Sequence, residues 1–408
     1  MKRRIFLQGL GAGSALCLGN AWGLTDGKTQ TATVQPLVPV FERLPHRHDN
    51  CAVIRVIGIG GGGRNAIDYM VESTIAGVDF ICADTDTQAL KGARAETRWP
   101  FGLGITRGLG TGANPDVGRR AALEDRERLA EALADADMLI IIVGMGGGTG
   151  TGAAPVVAEV AKALGVLTVA MATMPCPFEG SRRRRIAKDG VTELIKHVDS
   201  LITIPNDTRF ADRGNDLILP GAFQAANHIL WNATSCIAEL ITCPGLIGVD
   251  FADVKTVLSG MGVAMVGTGS AVGPERAREA AKAAIHCPLL APFDLTMAKG
   301  MLVMITAGVS LSMADFHEVG NTVCDCADDD ATIVVGVVIH PQMEDELRVT
   351  IVATGLDDRL ISATTRDAIA RHKEECNDAG TLRTIARTTE DDPYDDLDIP
   401  AFLRRQTG

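Results

Sequence analysis

The chain has 408 residues, 46% hydrophobic, 22% charged and only 4% aromatic, which is enough material for two domains. Its formal net charge of −12 argues against a general nucleic-acid binder. No apolar run reaches the roughly 18 residues of a membrane-spanning helix. Ten cysteines, with no C-x-x-C and one tight pair at Cys324 and Cys326, read as reduced core thiols in a reducing compartment, not as a disulfide framework or zinc site.

Residues 1–24 conflict with that compartment. Arg3-Arg4 followed by a mildly apolar run to Ala21-Trp22-Gly23 looks like a twin-arginine export signal. The alternative is an extension that stays in the cytoplasm. Residues 25–50, with Pro36, Pro39 and Pro45, read as disordered. A buried strand is expected at 52–57, then Gly58-Ile59-Gly60-Gly61-Gly62-Gly63-Arg64-Asn65, then a helix at 66–73. Gly58, Gly60 and Gly63 satisfy G-x-G-x-x-G, with Asp79 and Asp84 about twenty residues on, so a nicotinamide-dependent dehydrogenase has to be considered. A strand at 79–83 leads to Asp84-Thr85-Asp86-Thr87-Gln88-Ala89-Leu90. Gly108-Leu109-Gly110-Thr111-Gly112-Ala113-Asn114-Pro115 follows, and a helix at 118–134 is apolar on one face.

The strongest signal comes next. An apolar run at 138–143 enters Gly144-Met145-Gly146-Gly147-Gly148-Thr149-Gly150-Thr151-Gly152, and a helix is expected at 153–164 with Pro155 in its first turn. Strand, glycine loop and helix together hold phosphate: backbone N–H groups and the positive helix end face the anion, and glycine permits close approach. No lysine follows, so this is not the G-x-x-x-x-G-K-[ST] loop.

G-G-G-T-G-T-G resembles the signature of the tubulin/FtsZ family of polymerising GTPases, and of its FtsZ branch in particular. The resemblance recurs in order from about residue 52 to 355 and again at the C-terminus. It implies a Rossmann-like GTPase domain at about 51–216, a central helix at 217–242 and a second α/β domain at 243–355. A 1–50 extension, a linker at 356–394 and a peptide at 395–408 flank them. It further implies GTP/GDP with Mg2+ and contacts from Gly61, Gly62, Gly63, Arg64, Asn65, Ala113, Gly148, Thr149, Gly150 and Asn206. Arg64 stands where the family usually has glycine, and Asp84 where it has asparagine.

After a strand at 166–172, Pro177-Phe178-Glu179-Gly180-Ser181-Arg182-Arg183 resembles the family's P-F-x-F-E-G-x-x-R. Glu179 and Arg183 share one face of a helix start, and by resemblance they contact the ribose and the base or ribose side. The run Arg182 to Arg185 reads as a solvated helix start from which one arginine reaches phosphate. A strand at 200–204 follows. On the long helix Phe223 and Asn227 lie four apart. Spacing alone makes them a core phenylalanine beside an exposed asparagine. The resemblance makes them base contacts, a ring stacking on the purine and an amide oxygen accepting from guanine's N–H groups, a pattern adenine does not present.

Pro244-Gly245-Leu246-Ile247-Gly248-Val249-Asp250-Phe251-Ala252-Asp253 resembles the family's synergy loop, with Gly248 in place of asparagine. The mechanism implied is split: one subunit binds GTP, and Asp250 and Asp253 of the next orient the attacking water. Asp250 also suits an N-cap, and a cation beside it is left open, with no metal held by protein side chains alone. Residues 255–355 show helices at 275–285 and 314–327 and strands at 301–306, 332–339 and 348–354. At the tail, Asp398 to Arg405 resembles the peptide that binds membrane tethers of the FtsA and ZipA kind, so membrane contact is indirect. The expected function is head-to-tail polymerisation into a division ring on the inner face of the membrane. A weakly hydrolysing regulatory paralogue, suggested by Gly248, and a scaffold that binds no nucleotide are the other readings beside the oxidoreductase.

Overall fold

A computed structural model of the chain describes residues 52–73, 75, 77–205, 219–242, 247–290, 293–328 and 330–356. The export-like stretch, Asn206 and the tail peptide lie outside them. Among the described residues the strands are β1 (Ile54–Ile59), β2 (Val78–Asp84), β3 (Thr97–Pro100), β4 (Met138–Gly144), β5 (Leu167–Met174), β6 (Ser200–Pro205), β7 (Gly262–Val272), β8 (Gly300–Ala307), β9 (Thr332–Ile339) and β10 (Glu346–Leu356). The helices are α1 (Gly60–Glu72), α2 (Thr87–Lys91), α3 (Leu103–Thr106), α4 (Pro115–Glu124), α5 (Arg126–Leu133), α6 (Thr149–Ala163), α7 (Ser181–Leu194), α8 (Leu219–Thr242), α9 (Phe251–Leu258), α10 (Arg276–Ile285) and α11 (Met313–Cys324).

The strands form one sheet in the order β3-β2-β1-β4-β5-β6-β7-β10-β8-β9. From β3 to β7 every pairing is parallel, whereas β10 runs antiparallel to both β7 and β8. The residues expected to start a separate unit therefore continue the same sheet, through Ser200–Gly262, Leu201–Val263 and Ile202–Ala264. The shared core explains this continuity. Ile229, Leu230, Ala233 and Ile237 of α8 pack in one cluster with Ile140, Met171 and Ile202 on one side and Leu302, Val338 and Val352 on the other.

Several expected boundaries shift, mostly at glycine. α1 begins at Gly60, not at 66, and α6 at Thr149, not at 153, so Pro155 sits in the second turn of its helix. The glycines are not slack loop. A methyl on Gly63 would stand 2.5 Å from the Ile142 carbonyl oxygen, and one on Gly150 2.7 Å from that of Gly144. The first helical turns lie directly on strand backbone, where only glycine fits. β7 was not expected at all, because Gly262-Val263-Ala264-Met265-Val266-Gly267-Thr268-Gly269 looks like a turn-rich segment. In the fold Gly267 and Gly269 face the backbone of α10, leaving no room for a side chain. The edge strand β3 was also missed; it carries Arg98 and Pro100. The single helix expected at 118–134 is two, broken at Asp125. Its buried carboxylate turns away to accept from the Gly102 amide at 2.7 Å and from Arg128 at 2.6 Å.

α4 and α6 cross at the same kind of contact, Gly118 against the Gly148 carbonyl and Gly152 against the Pro115 carbonyl. Gly152→Ala is expected to lower unfolding free energy by about 2–3 kcal/mol through overpacking. Gly320→Ala, inside α11 with open space around it, is expected to raise it by about 0.5–1 kcal/mol. Denaturant midpoints of the two variants check the contrast.

Candidate functional site

The strand order 3-2-1-4-5-6 reverses direction between β1 and β4, and in a parallel sheet the crevice at that point, beyond the carboxyl ends of the strands, is where ligands bind. Here the two glycine turns lie side by side. α1 follows β1 and α6 follows β4. Neither helix has a side chain capping its first turn or an acidic residue there. The first-turn amides of both helices, unable to bond within the helix, face the same crevice edge with the positive ends of two helix dipoles. Gly61, Gly62, Gly63, Gly148, Thr149 and Gly150 are the residues that make this edge. Gly62 meets Gly144 with a would-be methyl at 3.0 Å, which holds the two turns together. Thr151 stiffens the second turn: its Oγ1 accepts from the Gly146 amide at 2.9 Å.

Two neighbouring loops close on the glycine turns. The Thr85 hydroxyl lies 2.6 Å from that of Thr149. The Thr87 amide donates to the Gly108 carbonyl and the Gly110 amide to that of Thr85, both at 3.1 Å, so 84–87 and 108–114 are stitched together. Gly112 and Ala113 both take left-handed backbone, φ 60° and 58°, and Asn114 then caps α4 by accepting from the Asp116 amide at 3.0 Å. Ala113 is exposed at this bend. Leu109, 84% exposed, projects from the same loop. Asp84, only 5% exposed, accepts from the amides of Thr85 at 2.7 Å and Asp86 at 3.3 Å. Burial pushes its carboxyl above the usual carboxylate range, although the hydrogen bonds from Asp86, Thr85 and Thr149 pull the other way.

Arg64 and Asn65 follow the first glycine turn, and Asn227 on α8 donates to the Asn65 carbonyl at 3.5 Å. That contact brings the central helix to the cradle. Phe223 lies on α8, but its side chain is outside the described residues. Glu179 sits in a short 3-10 turn, not on a helix, and α7 begins two residues later. It still pairs with Arg183 at 2.6 Å and accepts from the Cys176 amide at 2.8 Å. Thr85 and Asn114 were not singled out as site residues; Thr85 in particular reaches its partner across 64 positions of sequence.

Asp250 and Asp253 are elsewhere. Asp250 caps α9, accepting from the Asp253 amide at 2.8 Å, and both residues are exposed. The loop before them is pinned to β9 by the Val337 amide, which donates to the Ile247 carbonyl at 3.3 Å. Thr242 at the end of α8 touches Gly77, just before β2 begins, and Ser200 at the start of β6 donates to the Leu258 carbonyl at 2.6 Å. The helix ends that flank the acids in sequence, Thr242 and Leu258, therefore lie at the amino edge of the sheet, and the glycine cradle lies at the carboxyl edge. The stretch of helix from Asn227 to Thr242 alone spans about 22 Å. Among the described residues no cluster of three His, Cys, Asp or Glu could hold a metal ion.

This fold, with twin glycine turns at the switch point and a central helix leading away, defines a tubulin-like nucleotide-binding GTPase. The family described as Tubulin/FtsZ family, GTPase domain, matches residues 53–211, and FtsZ family, C-terminal domain, matches 262–357. The cell division protein FtsZ of Pseudomonas aeruginosa is 51% identical over 381 residues, covering 87% of this chain and 97% of the relative. That of Coxiella burnetii is 50% identical over 371 residues, covering 87% and 96%. Among solved structures, an empty FtsZ dimer from M. jannaschii aligns at 41% identity with a TM-score of 0.71, over 74% of this chain and 88% of that one. CetZ2 from Haloferax volcanii, at 19% identity and a TM-score of 0.66, covering 79% and 99%, shares the fold.

The chain belongs to the FtsZ family: it is a cytoskeletal GTPase of cell division. The nicotinamide alternative has no support. Asp79 pairs with Arg55 at 3.8 Å and Asp84 is turned inward, so neither carboxylate is presented to a ribose.

Because the Asp84 pKa is raised by folding, this group contributes stability below the unfolded value of about 3.9, and that contribution is lost as pH rises through the folded value. Asp84→Asn keeps an oxygen for the two amides and removes the charge. It is expected to change stability little at about pH 4 and to raise the thermal midpoint at about pH 7.5. Melting curves at both pH values check this; no gain at the higher pH would discount the cost of the buried charge.

Proposed function

We propose that the cradle binds GTP and that hydrolysis takes place between two copies stacked head to tail. The observation that carries the proposal is the separation of the cradle and the helix ends flanking the acids onto opposite edges of one sheet, with α8 between them. One molecule cannot bring Asp250 or Asp253 to its own bound triphosphate, but a second copy approaching the carboxyl edge with its amino edge can. The exposure of both acids is consistent with that.

In this reading the amides of Gly61, Gly62, Gly63, Gly148, Thr149 and Gly150 hold phosphate oxygens, and the loop ending in Ala113 closes over the γ-phosphate. Glu179 and Arg183 address the ribose side. Asn227, with Nδ2 turned to Asn65, keeps its Oδ1 for guanine's N–H donors. Phe223 stacks on the base and Asn206 completes the pocket. A Mg2+ ion brought in with the triphosphate would be held chiefly by phosphate oxygens and water. When bound, it neutralises charge developing on the β- and γ-phosphate oxygens. Asp253 of the neighbour orients the attacking water, and Asp250 fixes the α9 terminus that presents it. The protein acts in the cytoplasm at the division site, and Asp398 to Arg405 docks on membrane tethers of the FtsA and ZipA kind.

GTPase rate per molecule against protein concentration, with light scattering alongside, tests the split site: both are expected to rise together above a threshold, and a flat rate without scattering overturns it. Asp253→Ala is expected to bind GTP normally and lose at least about a hundredfold in turnover, the scale for removing a group that positions a reacting water. Normal turnover in that variant refutes the role. Gly248, exposed with no atom within 4 Å of a would-be methyl, accepts a side chain freely. Gly248→Asn is expected to fold as before and to raise turnover severalfold at unchanged nucleotide affinity, measured by steady-state phosphate release.

A further inference from the structure

The polar face of α1 carries Arg64, Asp68 and Glu72 at intervals of four, and all three reach the same neighbouring segment, the end of α2 and the turn after it. Arg64 Nη1 donates to the Ala89 carbonyl at 3.4 Å. Asp68 Oδ1 accepts from the Arg94 amide at 2.7 Å, and Glu72 pairs with the Arg94 guanidinium. Arg64 and Asp68 also face each other at 3.8 Å. These contacts form a ladder fastening α1 to the segment beside it, and Arg64 is the rung next to the glycine turn. Gly92 lies beside it; a methyl there would stand at ordinary contact distance, 3.6 Å from Nη1.

The other terminal nitrogen of Arg64 donates to Asn65 Oδ1 at 2.8 Å. Asn65 in turn gives its carbonyl to Asn227. Both ends of the guanidinium fork are therefore engaged by protein acceptors, Asp68 balances its charge, and the side chain is only 26% exposed. In this arrangement both terminal nitrogens of the fork serve the protein, although Nε is buried without a hydrogen-bond partner. What the side chain does is hold the first turn of α1, the Asn65 amide and the segment behind the 84–87 loop in one arrangement before any nucleotide arrives.

Resting on the cradle reading given above, we propose that Arg64 is a positioning residue for nucleotide binding, acting through Asn65 and the Ala89 carbonyl to preorganise the base-side wall of the site. With Asn65 Oδ1 occupied, the exposed side chain has its Nδ2 left to donate. Preorganisation lowers the ordering cost of binding. Because it acts on the frame and not on one phosphate, GTP and GDP depend on it alike.

The test uses the full chain with Arg64→Ala, Arg64→Lys, Asn65→Ala and the Arg64→Ala/Asn65→Ala pair. Dissociation constants for fluorescently labelled GTP and GDP are measured, with thermal midpoints without nucleotide to confirm folding. Arg64→Ala is expected to weaken both nucleotides about fivefold, the scale of one net hydrogen bond. It should cause a smaller, less than additive loss in the Asn65→Ala background, where only the Ala89 contact remains to be removed, and Arg64→Lys should recover part of the affinity, since an ammonium reaches one of the two acceptors. Unchanged or tighter binding in Arg64→Ala overturns the proposal. So does a loss confined to GTP, full additivity with Asn65→Ala, or no recovery with lysine. If Asn65→Ala alone leaves binding intact, the proposed route through Asn65 falls while the glycine cradle stands; if it weakens binding and Arg64→Ala does not, only the role of Arg64 falls. Failure of the unsubstituted chain to bind either labelled nucleotide is the result that sinks the cradle reading.

Discussion

Backbone laid directly on backbone at the carboxyl edge of the sheet is the contact on which the molecule depends. Gly62 rests on Gly144, Gly63 on the Ile142 carbonyl, Gly150 on the Gly144 carbonyl, and Gly118 and Gly152 close the crossing of α4 with α6. Each glycine costs conformational entropy in a helix. The burial of Ala153, Ala154, Val156, Val157 and Val160 along α6 offsets that cost. What the arrangement produces is two sets of helix-terminal amides close enough to share one anion. A β-carbon at any of these positions would lift a helix off the sheet and part the two sets. Close packing and phosphate recognition are here one requirement, and it explains why the glycine runs coincide with the helix starts and not with loops before them.

The second consequence concerns α8. Near the cradle it is fastened to α1 by Asn227 to the Asn65 carbonyl and by His228 Nδ1 to the Tyr69 hydroxyl at 3.2 Å. Farther along, Glu239 faces His340, just past β9, at 3.6 Å. Burial pushes the Glu239 carboxyl up, while His340 draws it back down. Between those points the helix is buried from Leu230 through Ile237 to Leu240 in the core common to both halves of the sheet. A rod clamped at both ends and packed along its length cannot let the two edges of the sheet move independently. The fold thus separates the phosphate cradle from the acids in one molecule and ties their positions together, which is what a site completed by a second copy demands.

Much of this was legible in the residues. Motif and spacing located the two glycine turns after β1 and β4 and paired Glu179 with Arg183, although both helix starts and the turn that carries Glu179 differ from the expected elements. Local rules failed wherever a long-range contact overrode them. Gly267 and Gly269 look like turn residues until α10 is seen lying on them. Asp125 sits in a helical pattern but bonds to an amide 23 residues earlier. Thr85 and Thr149 meet across two loops that no periodicity connects. In each case the information lies in a partner distant in sequence, which single-chain pattern reading does not supply. Asn114 before Pro115 is the exception, an N-cap signal present in the sequence and simply not assigned to the site.

Three residues depart from the pattern that the family resemblance led us to expect, and their surroundings differ in kind. At 84 the fold requires an acceptor for two amides, so the aspartate's extra charge is a burden without a structural purpose. At 64 the arginine makes contacts that glycine has no atoms to make. At 248 nothing in the fold calls for glycine, because the position faces open space. None of the three supplies a backbone donor from the two glycine turns, so any part they take in nucleotide binding is indirect, through the frame that holds those turns. In the proposed split site, Gly248 is the departure nearest the acids at the start of α9, so a change there bears on how a neighbour's site is completed and not on how nucleotide is held.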